Sequence, residues 1–254
     1  MSDIKLKSVK NIRDFGGIVN KEGKRLKDGM FIRSGSLSSL SDADAEVVFD
    51  QYHVKTVIDL RTQGETSEKP DRIRDGIRYL RIPIINEAMA GISHEQEAKE
   101  NMDLIPDLAD LYRMVCSSDF AIEAMKKVFD SILRYSSDGA VLWHCTEGKD
   151  RCGVISALFL SLLDVDREAV IENYLLTNRL NRRKARKYYA LVLVVKRSKY
   201  YAKKIHSVFI ADRRYIEAAF DEIEQKFGTL DRFFRDALGI TDEMKAALKA
   251  NYLE

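Results

Sequence analysis

The stretch AVLWHCTEGKDRCGVISALFL, residues 140–160, decides the fold. Its opening, Ala140–Cys145, is a short apolar run that reads as a strand covered on both faces. From Gly153 to Leu163 the chain is apolar nearly all round, as a buried helix is. Between them lies a tight polar loop, with Arg151 where the helix begins. A strand, a short loop and a buried helix make one unit of an α/β sheet.

Working outward, three more short runs rich in Val and Ile read as buried strands: Met30–Arg33, Val54–Leu60 and Tyr79–Ile84. Ser41, followed by Asp44, caps an expected helix through about Gln51, and Phe120–Tyr135 has apolar residues at helical spacing. After residue 164 the pattern is helical to the end, with Gly228 and Gly239 as stops. The expected fold is therefore α/β, a central, mostly parallel sheet flanked by helices, with a C-terminal helical cover. The chain has 254 residues, three prolines and no Gly/Ser linker, so one domain over 1–254 is expected, carrying a helical insertion.

Composition narrows the class. Apolar residues are 45% and charged residues 32%, which fits a soluble globular chain and excludes disordered and fibrous ones. The opening MSDIKLKSVK does not read as a secretory signal, and the apolar run Ala190–Val195 is too short to span a bilayer. Three cysteines without regular spacing do not form a disulfide framework, so a reducing compartment, the cytoplasm, is expected. No Cys-x-x-Cys and no close His pair occurs, so no metal site is expected, and no cofactor is implied.

The loop carries the chemistry. A cysteine at a strand end, followed by a turn into a helix, faces the loop amides and the positive end of the helix dipole. That field favours a phosphate and also a thiolate, so Cys145 should be more acidic than a free thiol. Arg151 can fork two N–H donors onto phosphate oxygens. Thr146, Glu147, Gly148 and Lys149, with His144 before them, form the expected cradle. Cys145 then attacks phosphorus, an acid protonates the leaving oxygen, and water clears the thiophosphate. The bland alternative is an inert cysteine ending a strand, but packing would not explain the glycine, lysine and arginine that follow it. A nucleotide-binding loop is excluded. It needs a glycine five residues before Gly148, where Trp143 stands, and a hydroxyl after the lysine, where Asp150 stands.

His144-Cys145 with Arg151 six positions after the cysteine resembles the protein tyrosine phosphatase signature. Its Gly148-Lys149-Asp150-Arg151 version is similar to that of the atypical bacterial and fungal tyrosine phosphatases, some of which also act on phosphoinositides. Further segments resemble that family in order along the chain: Asn11–Gly17 (NIRDFGG), Phe31–Gly35 (FIRSG), Ile58–Arg61 (IDLR) with Glu65, and Glu172–Asn178 (ENYLLTN). The resemblance implies the tyrosine-phosphatase fold and makes Asp150 the general acid, against the plain reading of a first-turn helix cap. Two positions depart from it. Cys152 stands where the family usually has a Thr or Ser hydroxyl beside the thiolate, and Asn173 stands where it usually has Asp.

Among lesser candidates, Asp59 ends a buried strand and is the alternative acid, unless it pairs with Arg61 or Arg13. His144 reads as a residue that holds the loop by hydrogen bonds. Lys149 is either a solvated charge or a second anion-binding group. Trp143 and Cys116 read as core.

Charge is unevenly spread. Arg179 to His206 holds 11 bases and no acid, leaving 31 bases against 40 acids elsewhere. With Tyr188, Tyr189, Tyr200 and Tyr201 interleaved, residues 179–206 read as a basic helical lid over the site that attracts anionic substrate or an anionic membrane surface. The alternative is a solvated face. No nucleic-acid recognition motif accompanies it. The reading is a cysteine-dependent phosphatase acting on phosphotyrosine proteins, phosphoinositides, or both. Its rivals are an inactive phosphate-binding module and a sulfurtransferase, the latter a poorer fit to Lys149, Asp150 and Arg151.

Overall fold

Side chains along a strand point alternately to opposite faces, so a strand covered on both sides must be apolar throughout. A computed structural model, which describes residues 4–87 and 107–254, has a five-stranded sheet in which Ala140–His144 (AVLWH) comes nearest to this, while the other strands carry polar or charged residues as well. Its strands are β1 (Arg13–Asp14), β2 (Phe31–Ser34), β3 (Val54–Asp59), β4 (Arg78–Arg81) and β5 (Ala140–His144). Their spatial order is β1-β2-β5-β3-β4, with β1 antiparallel and every other pairing parallel. Phe31, Ile58, Val141 and Trp143 fill the core on one face, while Ile32, Val57 and Leu142 fill a second core on the other.

Helices cover both faces. The second core is closed by α1 (Asp42–Ala45), which widens into a π-helical turn over Glu46–Gln51 and contributes Val48 and Phe49. The short α2 (Gln63–Glu68) follows β3. On the larger face lie α3 (Leu108–Ser117), α4 (Asp119–Tyr135), α5 (Asp150–Leu162) and α6 (Arg167–Leu175). Next come α7 (Asn178–Lys196) and α8 (Lys199–Phe209), which pack on each other. The chain finishes with α9 (Arg213–Phe227), α10 (Leu230–Arg232) and α11 (Asp242–Tyr252). Gly228 and Gly239 both take positive φ where helices stop.

Register places the site. Ser34, Asp59 and His144 pair across β2, β5 and β3, so the carboxyl ends of the three central parallel strands are level. Cys145 is the next residue beyond that line, where ligands bind in open α/β sheets.

The strands differ from the expected ones at their ends. The first runs Phe31–Ser34 and not Met30–Arg33, and β3 and β5 stop one residue early, at Asp59 and His144. Beyond β3, the Leu60 amide bonds His144 O as the chain turns away. The fourth is a larger correction. It spans Arg78–Arg81 with alternating half-buried and exposed residues, because among the described residues β4 is an edge strand paired with β3 alone. Ile84 at the end of the expected run, with Ile85 after it, buries in the core past Pro83 instead of extending the strand. Strand β1, two charged or polar residues, has no strand signal and was not expected.

Candidate active site

Cys145 is 2% exposed and follows β5 directly. The loop behind it is pinned from several sides. Gly148 has φ +64, and a Cβ there would lie 2.6 Å from the backbone of Ser34 and Gly35. Glycine is therefore required for the loop to press against the end of β2. Asn11 Nδ2 donates to Gly148 O at 2.6 Å and to Glu147 O at 3.2 Å. Arg33, wholly buried, donates to Gly148 O at 2.8 Å and Lys149 O at 3.2 Å. These bonds hold the loop carbonyls of Glu147, Gly148 and Lys149 from behind.

The thiol environment is strongly polarised. A hydrogen bond from the Cys152 thiol, the charge of Arg151 and the Cys152 amide outweigh burial and the Asp150 carboxylate, and hold Cys145 at about 5. Burial, then the neighbouring thiolate, push Cys152 well above its ordinary value. Cys152 therefore keeps its proton and acts as the donor, in the place of a hydroxyl. Its single proton has a competing acceptor in Ser34 O, 3.6 Å from Sγ.

Arg151 is aimed by a carboxylate. Its two terminal nitrogens donate to Glu65 Oε2 at 2.5 Å and Oε1 at 2.7 Å. Glu65 is itself fixed by a capping box at the start of α2, where its carboxylate accepts from the Thr62 amide and Thr62 Oγ1 accepts from the Glu65 amide. The Thr146 hydroxyl donates to Glu65 as well. Burial would raise the Glu65 carboxyl, yet Arg151 and these donors pull it down to about 2. A fixed fork of this kind can present the remaining guanidinium donors to a phosphate.

Asp150 begins α5. Tyr112 Oη donates to its Oδ1 at 2.7 Å, and Tyr112 and Tyr174 lie Oη to Oη at 2.7 Å. Burial, then the Asp150 charge, keep both phenols protonated. Because Tyr112 gives its only proton to Asp150, Tyr174 is the donor between the two rings.

The tyrosine phosphatase family profile matches residues 4–254. The chain belongs to that family. A Cupriavidus necator protein named as a tyrosine-protein phosphatase is 26% identical over 261 residues, covering 99% of this chain and 88% of its own. The triple specificity protein phosphatase PtpB of Mycobacterium tuberculosis is 26% identical over 245 residues, covering 84% and 87%. Among solved structures, P. aeruginosa TpbA in complex with pTyr is 15% identical with a TM-score of 0.36, covering 86% and 91%.

In this tyrosine phosphatase family member, the other sequence candidates fall into two groups away from the sulfur. Asp59 and Arg61 form a buried pair, with Arg61 Nη2 2.7 Å from both Asp59 Oδ2 and Asp71 Oδ2. Tyr79 Oη donates to Asp59 at 2.6 Å. Burial opposes the Asp59 charge, but His144 and Arg61 hold its carboxyl far below the usual range. An acid locked in its ionised form has no proton to give, which disfavours Asp59 as the alternative acid. His144 Nε2 lies 3.0 Å from Asp71 Oδ2, so its ring faces this cluster and not the loop. Burial disfavours its charge, and the two aspartates outweigh that and raise it. Donor atoms of Asp59, Asp71 and His144 lie within 4.8 Å of one another, close enough for a cation, but Arg61 already answers both carboxylates. Arg13, in the second group, sits behind the loop and donates to Asn11 Oδ1 and Thr177 Oγ1.

Lys149 is not a solvated charge. It is 3% exposed, and its ammonium donates to Val208 O at 2.5 Å and Ile210 O at 3.4 Å, with Asp150 Oδ2 at 3.4 Å. It ties the loop to the foot of the basic hairpin. Glu65, Tyr112, Asn11 and Arg33 carry structural tasks that the sequence reading did not assign. The one available signal was Thr62-x-x-Glu65, a capping box directly after a strand.

Proposed function

We propose that this chain is a cysteine-dependent phosphatase that works through a phosphocysteine on Cys145. The observation that carries the reading is a cysteine held at about 5 at a parallel strand end, beside an arginine forked onto a buried glutamate. The thiolate attacks phosphorus while the P–O bond breaks. The electron pair stays on the leaving oxygen, which takes the Asp150 proton. Water then attacks phosphorus, Asp150 takes its proton, and the S–P bond breaks to restore the thiolate. The Cys152 thiol supports that departing charge, and Arg151 with the loop amides stabilises the equatorial oxygens.

The substrate class in this reading is phosphotyrosine protein, phosphoinositide, or both. Support for a range beyond phosphotyrosine is the relative named as a triple specificity phosphatase. The test is phosphate release from nitrophenyl phosphate, a phosphotyrosine peptide and a phosphoinositide, with quenched samples probed for a phosphorylated Cys145. Release with a trapped phosphocysteine is expected. Phosphate binding without release would establish an inactive binding module instead.

A further inference from the structure

The α7–α8 hairpin is built unlike the rest of the molecule. Its buried residues, Ala185, Val192, Ala202, Ile205, Val208 and Phe209, form a cluster apart from the two cores on the sheet. Tyr188 stacks on Phe209 at 4.8 Å. Its feet are tied to each other and to the body by polar bonds. Asn178 exchanges two with Ala211, at 2.7 and 2.8 Å, and Lys149 holds Val208 O.

The far end is apolar and uncovered. At 1.5 Å per residue, the 19 residues of α7 make it roughly 28 Å long. At that far end Leu191 is 51% exposed, Val194 74% and Val195 67%, and Tyr200 at the start of α8 is 61% exposed. The turn between the helices is Arg197, at φ +48. Lys196, Arg197, Lys199 and Lys203 are exposed around the same tip, and no acid occurs between Arg179 and His206. Such a tip combines what an interfacial membrane element needs: apolar side chains to enter the acyl boundary and bases to meet anionic headgroups. A second copy of the chain is disfavoured, because it would bring 11 more bases against these 11.

We infer that the hairpin tip is a peripheral membrane anchor, inserting Val194, Val195, Leu191 and Tyr200 into an anionic lipid surface. No described helix is long and apolar enough to cross a membrane, so the contact is interfacial. Lys149 links the catalytic loop to the hairpin's foot, so docking holds the loop at a fixed reach from the headgroup layer. This inference stands apart from the phosphatase reading, and its readout is binding.

The test is sedimentation of the full chain with phosphatidylcholine vesicles, with and without phosphatidylserine. Binding is expected with phosphatidylserine and should weaken with salt. Replacing Lys196→Glu together with Arg197→Glu should lower the partition at least about tenfold, since each base is worth roughly 1 kcal/mol at such a surface. Val194→Ser with Val195→Ser should also lower it, by roughly tenfold. Trp143, the one tryptophan, is fully buried, so Val195→Trp adds an exposed reporter whose emission should shift to the blue on vesicles. Nitrophenyl phosphate turnover should be unchanged in every variant, which shows that they fold. The inference is overturned if phosphatidylserine vesicles do not bind, or if both double variants bind like wild type. It is also overturned if polyglutamate competes as well as vesicles do with no emission shift, which would make the partner an acidic polypeptide.

Discussion

Glu65 holds the guanidinium of Arg151 through two N–H···O bonds of 2.5 and 2.7 Å, in a pair whose side chains are both at least nine-tenths buried. Breaking one side of such a pair leaves an uncompensated buried charge, at about 3–5 kcal/mol. Glu65→Gln keeps the volume but turns an amide N–H₂ toward donors. We expect lower thermal stability and a kcat/KM reduced about a hundredfold, the scale of losing one transition-state donor. The loss should be equal for good and poor leaving groups, because charge stabilisation and not proton transfer is affected. Wild-type kinetics in the variant would show that Arg151 does not depend on Glu65.

The nucleophile is tested by Cys145→Ser. Turnover should vanish while phosphate still binds, since Arg151 and the loop amides remain. Residual activity within about tenfold of wild type would be incompatible with a covalent step. Arg151→Lys should be severely impaired as well, because an ammonium cannot form the fork with Glu65.

The pH dependence follows from the lowered Cys145 thiol at about 5. Below that value the sulfur is protonated and unreactive, and above it the thiolate forms. Alkylation of Cys145 by iodoacetamide should therefore rise through a midpoint near 5 and level off before neutrality. Removing the largest stabilising contact, with Cys152→Ala, should move the midpoint upward. Cys152→Ser restores a stronger donor and should speed breakdown of the phosphoenzyme. An unchanged midpoint in Cys152→Ala would assign the acidity to Arg151 and the helix instead.

Proton transfer is tested at Asp150 and Tyr112. Asp150→Asn should slow alkyl phosphates about 100-fold or more and nitrophenyl phosphate much less, as expected when a general acid is lost. Tyr112→Phe removes the hydroxyl that orients Asp150, and should give a smaller loss with the same dependence on leaving group. A loss independent of the leaving group in both variants would leave Asp150 a structural role. Asp59→Asn should instead cost stability, because it leaves Arg61 buried with less countercharge.

Arg33 offers a separate check. It is fully buried behind the loop, and burial lowers its affinity for its proton even though both thiols nearby favour its charge. Arg33→Met removes that charge and two bonds to the loop carbonyls. The Cys145 midpoint should rise and KM for nitrophenyl phosphate should increase, with circular dichroism unchanged. A midpoint that stays near 5 would reduce Arg33 to a packing residue.

Residues 140–163 were legible because local chemistry and local structure coincide there. An apolar strand, a glycine turn and a buried helix are contiguous, and Cys145, Asp150 and Arg151 lie within seven residues. The three central strands Phe31–Ser34, Val54–Asp59 and Ala140–His144 announce themselves for a related reason, since cover on both faces calls for a run rich in apolar residues, though Arg33, Lys55 and Thr56 interrupt it. Edge strands escape this rule. β4 is half exposed, and β1 is an Arg-Asp pair that becomes a strand by pairing with β2.

Partners across sequence distance were decided by the tertiary structure. Glu65 reaches Arg151 across 86 positions, Arg33 reaches Gly148 across 115, and Tyr112 reaches Asp150 across 38. No local pattern encodes such pairs, since they depend on which strand ends the sheet brings level. Two ambiguities that the sequence left open are narrowed by burial and contact. Asp59 and Asp150 look alike as residues at element boundaries, but the packed fold clamps Asp59 onto Arg61 and leaves Asp150 partly exposed beside Tyr112. Lys149, read as either a solvated charge or an anion ligand, is buried because its ammonium finds the free carbonyls at the end of α8. The sequence by itself determined the chemistry available at the turn after β5. The fold determined which side chains aim, charge and restrain it, because those interactions exist when distant segments share one low-dielectric space.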